Sequence, residues 1–142
     1  MSRIFWDTNL FIYLFEDYGH LSQQVALLLK KIEERGDELL TSTLTLGEIT
    51  SKPLSQGDTD RCQRYEKAIL SNAAVLSFDL GAARQFAKLR ATQLKSIRPP
   101  DAIQLACAAA AGIDLFLTND SRLHSLRVDG IHFITSVERA PI

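Results

Sequence analysis

The sequence predicts an α/β fold: a mostly parallel, five-stranded sheet with helices on both faces, in three layers. Five short runs rich in apolar and β-forming residues recur, at residues 4–6, 39–43, 74–78, 113–118 and 131–135. Between them lie segments with helical periodicity, and this alternation favours parallel pairing, because parallel neighbours need a crossover and a helix is the usual one. The run 113–118 is apolar except for Asp114 and its final Thr, as a strand covered on both faces requires.

In chain order, the first strand is Ile4-Phe5-Trp6, and Asp7 follows it directly. Leu10, Phe11, Tyr13, Leu14 and Phe15 then form an aromatic-rich helix, whose default role is core burial and whose alternative is a groove for a partner helix. Leu21, Val25, Leu28, Leu29 and Ile32 share one helical face until Gly36 stops the run. After the second strand, Thr45-Leu46-Gly47-Glu48 matches a capping box at a helix start. Residues 51–60, with Pro53 and Gly57, read as a break between two helices rather than a domain linker. The following helix, around Tyr65 and Ile69, offers a surface for a dimer or a partner protein.

Asp79 follows the third strand and is read as a helix cap. Residues 80–100 contain no acid, while Arg84, Lys88 and Lys95 fall on one face of a helix opposite Phe86, Leu89, Leu94 and Ile97. That stripe is either a solvated face or a contact for a nucleic-acid backbone. Replacing Arg84, Lys88 and Lys95 with Gln would test the second reading through the salt dependence of binding. Arg98 is less secure as a member because it precedes Pro99. A helix starts near Pro99-Pro100, where proline is tolerated, is apolar almost all round, and stops at Gly112.

The totals set limits. A chain of 142 residues fits one domain spanning 1–142. A net charge of -1, from 16 basic and 17 acidic residues, excludes attachment to nucleic acid by bulk charge. Cys62 and Cys107 form neither a disulfide framework nor a zinc motif, which suits a reducing cytoplasm. Cys107, set among alanines, reads as a small buried apolar residue. No apolar run is long enough to cross a membrane, and His20, His124 and His132 lack any metal or nucleophile–base spacing.

Candidate chemistry rests on four acids: Asp7, Glu48 and Asp120 stand just after strands, and Asp101 in the first turn of the apolar helix. Ligands of open parallel sheets collect beyond the carboxyl ends of the strands, so these acids can converge. Each also has a bland reading, as a helix cap or a first-turn acid favoured by the helix dipole. Converging carboxylates would resist ionisation unless a cation neutralised them, and hard oxygen donors select Mg²⁺, with Mn²⁺ able to substitute. Such an arrangement fits phosphodiester hydrolysis, in which, with two ions about 3.5–4 Å apart, one activates water while the other stabilises the leaving oxygen.

Asp7-Thr8-Asn9, Leu46-Gly47-Glu48-Ile49, Pro100-Asp101-Ala102-Ile103-Gln104-Leu105-Ala106 and Thr118-Asn119-Asp120 together resemble PIN-domain nucleases, especially the VapC-type toxins of bacterial toxin–antitoxin pairs. The resemblance implies strand order 3-2-1-4-5, Mg²⁺- or Mn²⁺-dependent cleavage of RNA, a homodimer and a cognate antitoxin. It assigns Asp7, Glu48, Asp101 and Asp120 to the acidic site, with Asn9 and Thr118 as polar neighbours that orient a carboxylate or a bound water. Local turn bonding is the alternative for Asn9 and Thr118. Among the acids, Asp7, Asp101 and Asp120 are the expected metal ligands, and Glu48 acts through water because of its capping box. Two rivals stand beside this reading: a PIN-like module that binds RNA or protein without cutting, and a phosphoryl-transfer domain using Asp7 as nucleophile. Against the second, Asn9 stands where a phosphatase of the haloacid-dehalogenase type would want a second Asp.

Overall fold

The computed structural model describes residues 1–92 and 97–142. Five strands, β1 (Arg3–Trp6), β2 (Glu38–Ser42), β3 (Ala74–Leu76), β4 (Ile113–Leu117) and β5 (Ile131–Thr135), form one sheet in the order β3-β2-β1-β4-β5. All four pairings are parallel, as the alternation of strand and helix predicts. Among the described residues six α-helices lie between the first four strands, α1 (Thr8–Phe15), α2 (His20–Arg35), α3 (Thr43–Ser55), α4 (Thr59–Asn72), α5 (Leu80–Thr92) and α6 (Pro99–Ala111), and a 3₁₀ turn, Ser121–Leu123, lies between β4 and β5.

The pleat of β1 explains the three layers. Ile4 and Trp6 point to one face and pack with Leu10 and Phe11 of α1, Val25, Leu28 and Ile32 of α2, Ile49 of α3, and Tyr65 and Ile69 of α4. Phe5 points to the other face and packs with Leu89 of α5 and the apolar side of α6. There the Phe5 and Phe116 rings stack at 5.0 Å and 8°, joining the neighbouring strands β1 and β4. The sheet is thus covered on both sides, and its strands carry the continuous apolar runs that such burial demands.

α6 is buried on nearly every side, with Ala102, Gln104, Leu105, Ala106, Cys107, Ala108 and Ala109 all inside. Small side chains let the helix lie close to the sheet, and Gly112 ends it in a left-handed conformation (φ 73°). Gly36 ends α2 in the same way (φ 70°). Cys107 is 2% exposed and burial pushes its thiol up to about 11, so it is an inert apolar residue at neutral pH. Among the described residues, no helix is long and apolar enough to cross a membrane.

Four local expectations are corrected. Residue 43 belongs to α3 rather than to the second strand, and β3 stops at Leu76. The break expected over residues 51–60 is narrower, since α3 runs through Pro53 to Ser55 and α4 starts at Thr59. Pro53 lies in the last turn, so only one backbone bond is lost, and its carbonyl receives the amides of Gln56 and Asp58. The capping box is absent: Ser42 is the N-cap of α3, and Thr45 is already inside the helix with its hydroxyl turned into the protein. That change frees Glu48 from the capping role.

Candidate active site

Parallel pairing brings the carboxyl ends of β1, β2 and β4 to one edge of the sheet. β1 is followed at that edge by Asp7, whose backbone amide still bonds to the Leu117 carbonyl of β4 at 3.0 Å. Asp7 is both the N-cap of α1, accepting from the Thr8 amide at 2.8 Å, and the deepest of the acids, at 7% exposed. The capping and the site readings therefore hold together at this residue. Thr118, just after β4, donates its hydroxyl to Asp7 Oδ2 at 2.8 Å and receives the Asp120 amide at 3.1 Å. One side chain thereby spaces two acids.

Glu48 enters from α3. It is the sixth residue of that helix, one turn beyond Thr45, and the two share a face. The Thr8 hydroxyl donates to Glu48 Oε1 at 2.6 Å. Asp101 comes from the first turn of α6, and Asp120 caps a single 3₁₀ turn, Ser121–Leu123, by accepting from the Arg122 amide at 3.1 Å. All four acids line one crevice of about 280 Å³, together with Thr8, Asn9, Ile12, Arg98, Pro100 and Gln104. Asn9 faces Thr118 and Asn119 rather than a carboxylate, which makes it a brace for the loop after β4. Asp79 stands apart and caps α5 through the Ala82 amide at 2.9 Å, as expected.

Two layers of polar groups, to which the sequence reading gave no role at the acids, hold them. The inner layer centres on Gln104, 2% exposed, whose amide group donates to Thr45 Oγ1 (2.8 Å) and Thr8 Oγ1 (3.1 Å) and approaches Asp7 Oδ1 (3.5 Å). Its carbonyl accepts from the Ser42 hydroxyl. Thr41 in turn bonds Thr45 and the Trp6 carbonyl, so α1, α3, α6 and β2 are tied into one network. The outer layer is cationic. Arg122 grips Asp120 with Nε at 2.9 Å and with Nη2, and its Nη2 lies 3.8 Å from Asp101 Oδ2. Arg98 reaches Asp101 at 3.4 Å and Asp120 at 3.8 Å. Arg84 and Lys88 are exposed on α5 and do not line the crevice, and Lys95 lies outside the described residues.

Electrostatics separate the acids. Burial is the main reason that the Asp7 carboxyl rises from 3.8 to about 6, against the pull of its bonds from Thr118 and Thr8, with Asp101 and Glu48 adding repulsion. Asp120 moves the other way, chiefly because Arg122 hydrogen-bonds it. Among the described residues no group of three or more Asp, Glu, His or Cys side chains is gathered closely enough to hold a metal ion. The donor set is nevertheless all oxygen, open to solvent on one side, and includes a buried carboxylate repelled by its neighbours. These features fit a hard divalent cation that keeps several waters and takes only one or two carboxylates directly, for which Asp7, Asp101, Asp120 and Glu48 are the residues on offer.

The PIN domain family model matches residues 4–129, most of the chain. The chain belongs to the PIN domain family. Solved structures with the same fold as this PIN domain include VapBC from Salmonella typhimurium bound to DNA, at 20% identity and TM-score 0.74, covering 96% of this chain and 99% of that one. FitAcB from Neisseria gonorrhoeae gives the same values. VapBC2 from Rickettsia felis, bound to a DNA fragment from its promoter, matches at 16% identity and TM-score 0.72 over 94% and 98% of the two chains. No curated protein sequence matches the chain.

Proposed function

We propose that this PIN domain is a Mg²⁺- or Mn²⁺-dependent endoribonuclease of the VapC type, the toxin of a toxin–antitoxin pair. The observation that carries the reading is the meeting of Asp7, Glu48, Asp101 and Asp120 in one crevice at the carboxyl edge of the sheet. When bound, a divalent ion supplies positive charge for phosphodiester oxygens and makes water a better nucleophile at neutral pH. The chain's own groups do the rest. Asp7, held by Thr118 and the Thr8 amide, offers a fixed carboxylate to the cation, and Thr8 fixes the rotamer of Glu48. Gln104 keeps both threonines in place from below.

The partner reading draws on a second groove. Ile12, Tyr18, Ile49 and Pro53 line it with Glu16, Lys52 and Arg61, and it shares Ile12 and Glu48 with the acidic crevice. An antitoxin segment lying there would run straight to the acids, where a basic side chain would replace the metal's charge. The similar VapBC structures are toxin–antitoxin complexes, which supports such a partner. Within the aromatic run of α1, Leu10 and Phe11 are buried and Phe15 stacks on Tyr65 at 4.9 Å, while Tyr13, Leu14 and Phe15 are only half-buried. Tyr65 and Ile69 are buried and offer no dimer surface; a homodimer is supported instead by apolar surface where Phe78 is 44% exposed in a shallow pocket lined by Leu44 and Ile103, with Leu80 exposed two residues further on. A cytoplasmic setting goes with the free, unreactive Cys107.

The direct test is cleavage of a mixed set of structured and single-stranded RNAs with Mg²⁺ or Mn²⁺, with EDTA, and with Asp7→Asn. Cleavage that needs the ion and is lost in the variant is expected. Cleavage that survives the substitution would mark a contaminating nuclease. No cleavage of any RNA, with RNA still bound, would favour the non-catalytic module.

A further inference from the structure

Arg98 lines the crevice, and Arg122 pairs with two of its acids from the rim. Four carboxylates, Asp7, Glu48, Asp101 and Asp120, carry four negative charges when ionised, and Arg98 and Arg122 return two positive ones. The remaining charge of -2 is that of one divalent ion, whereas two such ions would leave the site at +2.

Geometry locates the division of labour. Both oxygens of Asp120 are engaged by Arg122, through Nε at 2.9 Å and through Nη2, which is the planar two-point contact that guanidinium makes best. Asp101 presents only Oδ2 to the two arginines, at 3.4 Å from Arg98 and 3.8 Å from Arg122. Among the described residues, Asp101 Oδ1 and Glu48 Oε2 make no hydrogen bond or ion pair. The inner end of the crevice therefore has carboxylate oxygens to offer, while the outer end is already neutralised by protein.

We propose that Arg98 and Arg122 take the place of a second metal ion, so that the site binds one divalent cation per chain and presents guanidinium groups to the RNA phosphate at its outer end. This rests on the ribonuclease reading and sharpens it: the inner carboxylates hold the ion, and the arginines position Asp101 and Asp120 and face the negative charge that develops on the phosphate. Guanidinium suits that second role because its five N–H donors exceed what Asp120 alone consumes. The arginine side chains are 66% and 51% exposed, so their replacement leaves the core intact.

The experiment counts Mn²⁺ on the full chain at pH 7.5, by calorimetric titration and by the electron paramagnetic resonance signal of free Mn²⁺. It compares the wild type with R98Q/R122Q and R98K/R122K, each checked by thermal melting. One equivalent is expected for the wild type and for the lysine variant. The glutamine variant should take up a second equivalent or bind the first at least about tenfold more tightly, as removal of two nearby positive charges requires. Two equivalents in the wild type, together with Mn²⁺-dependent RNA cleavage, would overturn the one-ion proposal and leave the ribonuclease reading standing. Stoichiometry and affinity unchanged in R98Q/R122Q would overturn it as well. Absence of Mn²⁺ binding together with cleavage that ignores EDTA would overturn both.

Discussion

At Asp7, a carboxylate 7% exposed between Thr8, Thr118 and Gln104, the requirements of the site oppose those of the fold. Burial, more than any other cause, lifts its pKa from 3.8 to about 6. Between those values the native chain keeps a proton that the unfolded chain has released, so stability falls as pH rises through the window. Above it the full penalty, on the order of 2–3 kcal/mol, is present unless a cation is bound. Asp7→Asn should therefore abolish metal-dependent cleavage and yet raise the metal-free stability at pH 7.5 by about 1–2 kcal/mol, with the gain vanishing toward pH 4. Thermal melts of both proteins in EDTA across that range check it, and a variant less stable at every pH would contradict it. Asp120, held low by Arg122, contributes in the opposite sense: its stabilisation is present at neutral pH and fades as acid protonates it, and it cancels in the comparison. Gln104 gives a second prediction. Gln104→Leu leaves the Ser42, Thr45 and Thr8 hydroxyls short of a buried partner, and should cost about 1–3 kcal/mol and slow cleavage while the Mn²⁺ stoichiometry stays the same. Asp7, Asp101 and Asp120 were legible because each follows a strand or opens a helix, a position that sequence pattern can mark, whereas Glu48 sits inside α3 and stood out through its motif. Gln104 and Arg122 were not: one matters through burial against three other elements, and the other stands two residues from its carboxylate, a spacing that carries no helix-face signal.

Among the elements, those with strong periodicity appear where the pattern puts them. α2 ends at Gly36, α6 at Gly112, and β5 matches residues 131–135. The errors fall where a local rule meets tertiary packing. Thr45 and Glu48 satisfy a capping pattern, but the chain enters α3 earlier, at Ser42, because β2 and the helix join without a loop and Thr45 is needed by Thr41 and Gln104. Pro53 signals a break that α3 postpones by placing it in its last turn. The turn before β5 shows a constraint that no pattern revealed. Gly130 has φ 95°, and a Cβ there would lie 2.4 Å from the Ala109 carbonyl oxygen on α6, which cannot retreat because Ala109 and its neighbours are packed on the sheet. Gly130 also receives the Ile113 amide at 2.8 Å and so anchors the start of β4. Gly130→Ala should lower stability by about 2–4 kcal/mol, from the left-handed backbone cost and the overpacking together. Urea unfolding measures this, and a loss under about 0.5 kcal/mol would show that the turn relaxes freely.

For the whole molecule, the decisive quantity is that a net charge of -1 leaves no general attraction for RNA. Attraction has to be local, and two places can be compared. Arg84 and Lys88 are exposed on α5, away from the crevice lining, whereas Arg98 and Arg122 stand at the acids themselves. Counterion release distinguishes them, because each phosphate neutralised on a single strand adds about -0.7 to the slope of log K against log salt. With Asp7→Asn as the background to prevent cleavage, binding of a labelled single-stranded RNA should show a shallow slope, on the order of -1 to -3, as few contacts imply. Adding R98Q/R122Q should flatten it by about 1.4, the share of two phosphate contacts, and R84Q/K88Q should change it by less than about 0.3. The reverse ranking would move the RNA path onto α5 and restore the basic stripe that the sequence suggested. A steep slope that neither pair reduces would move the contacts to other cations, with Lys52 and Arg61 of the groove beside the acidic crevice the next to replace.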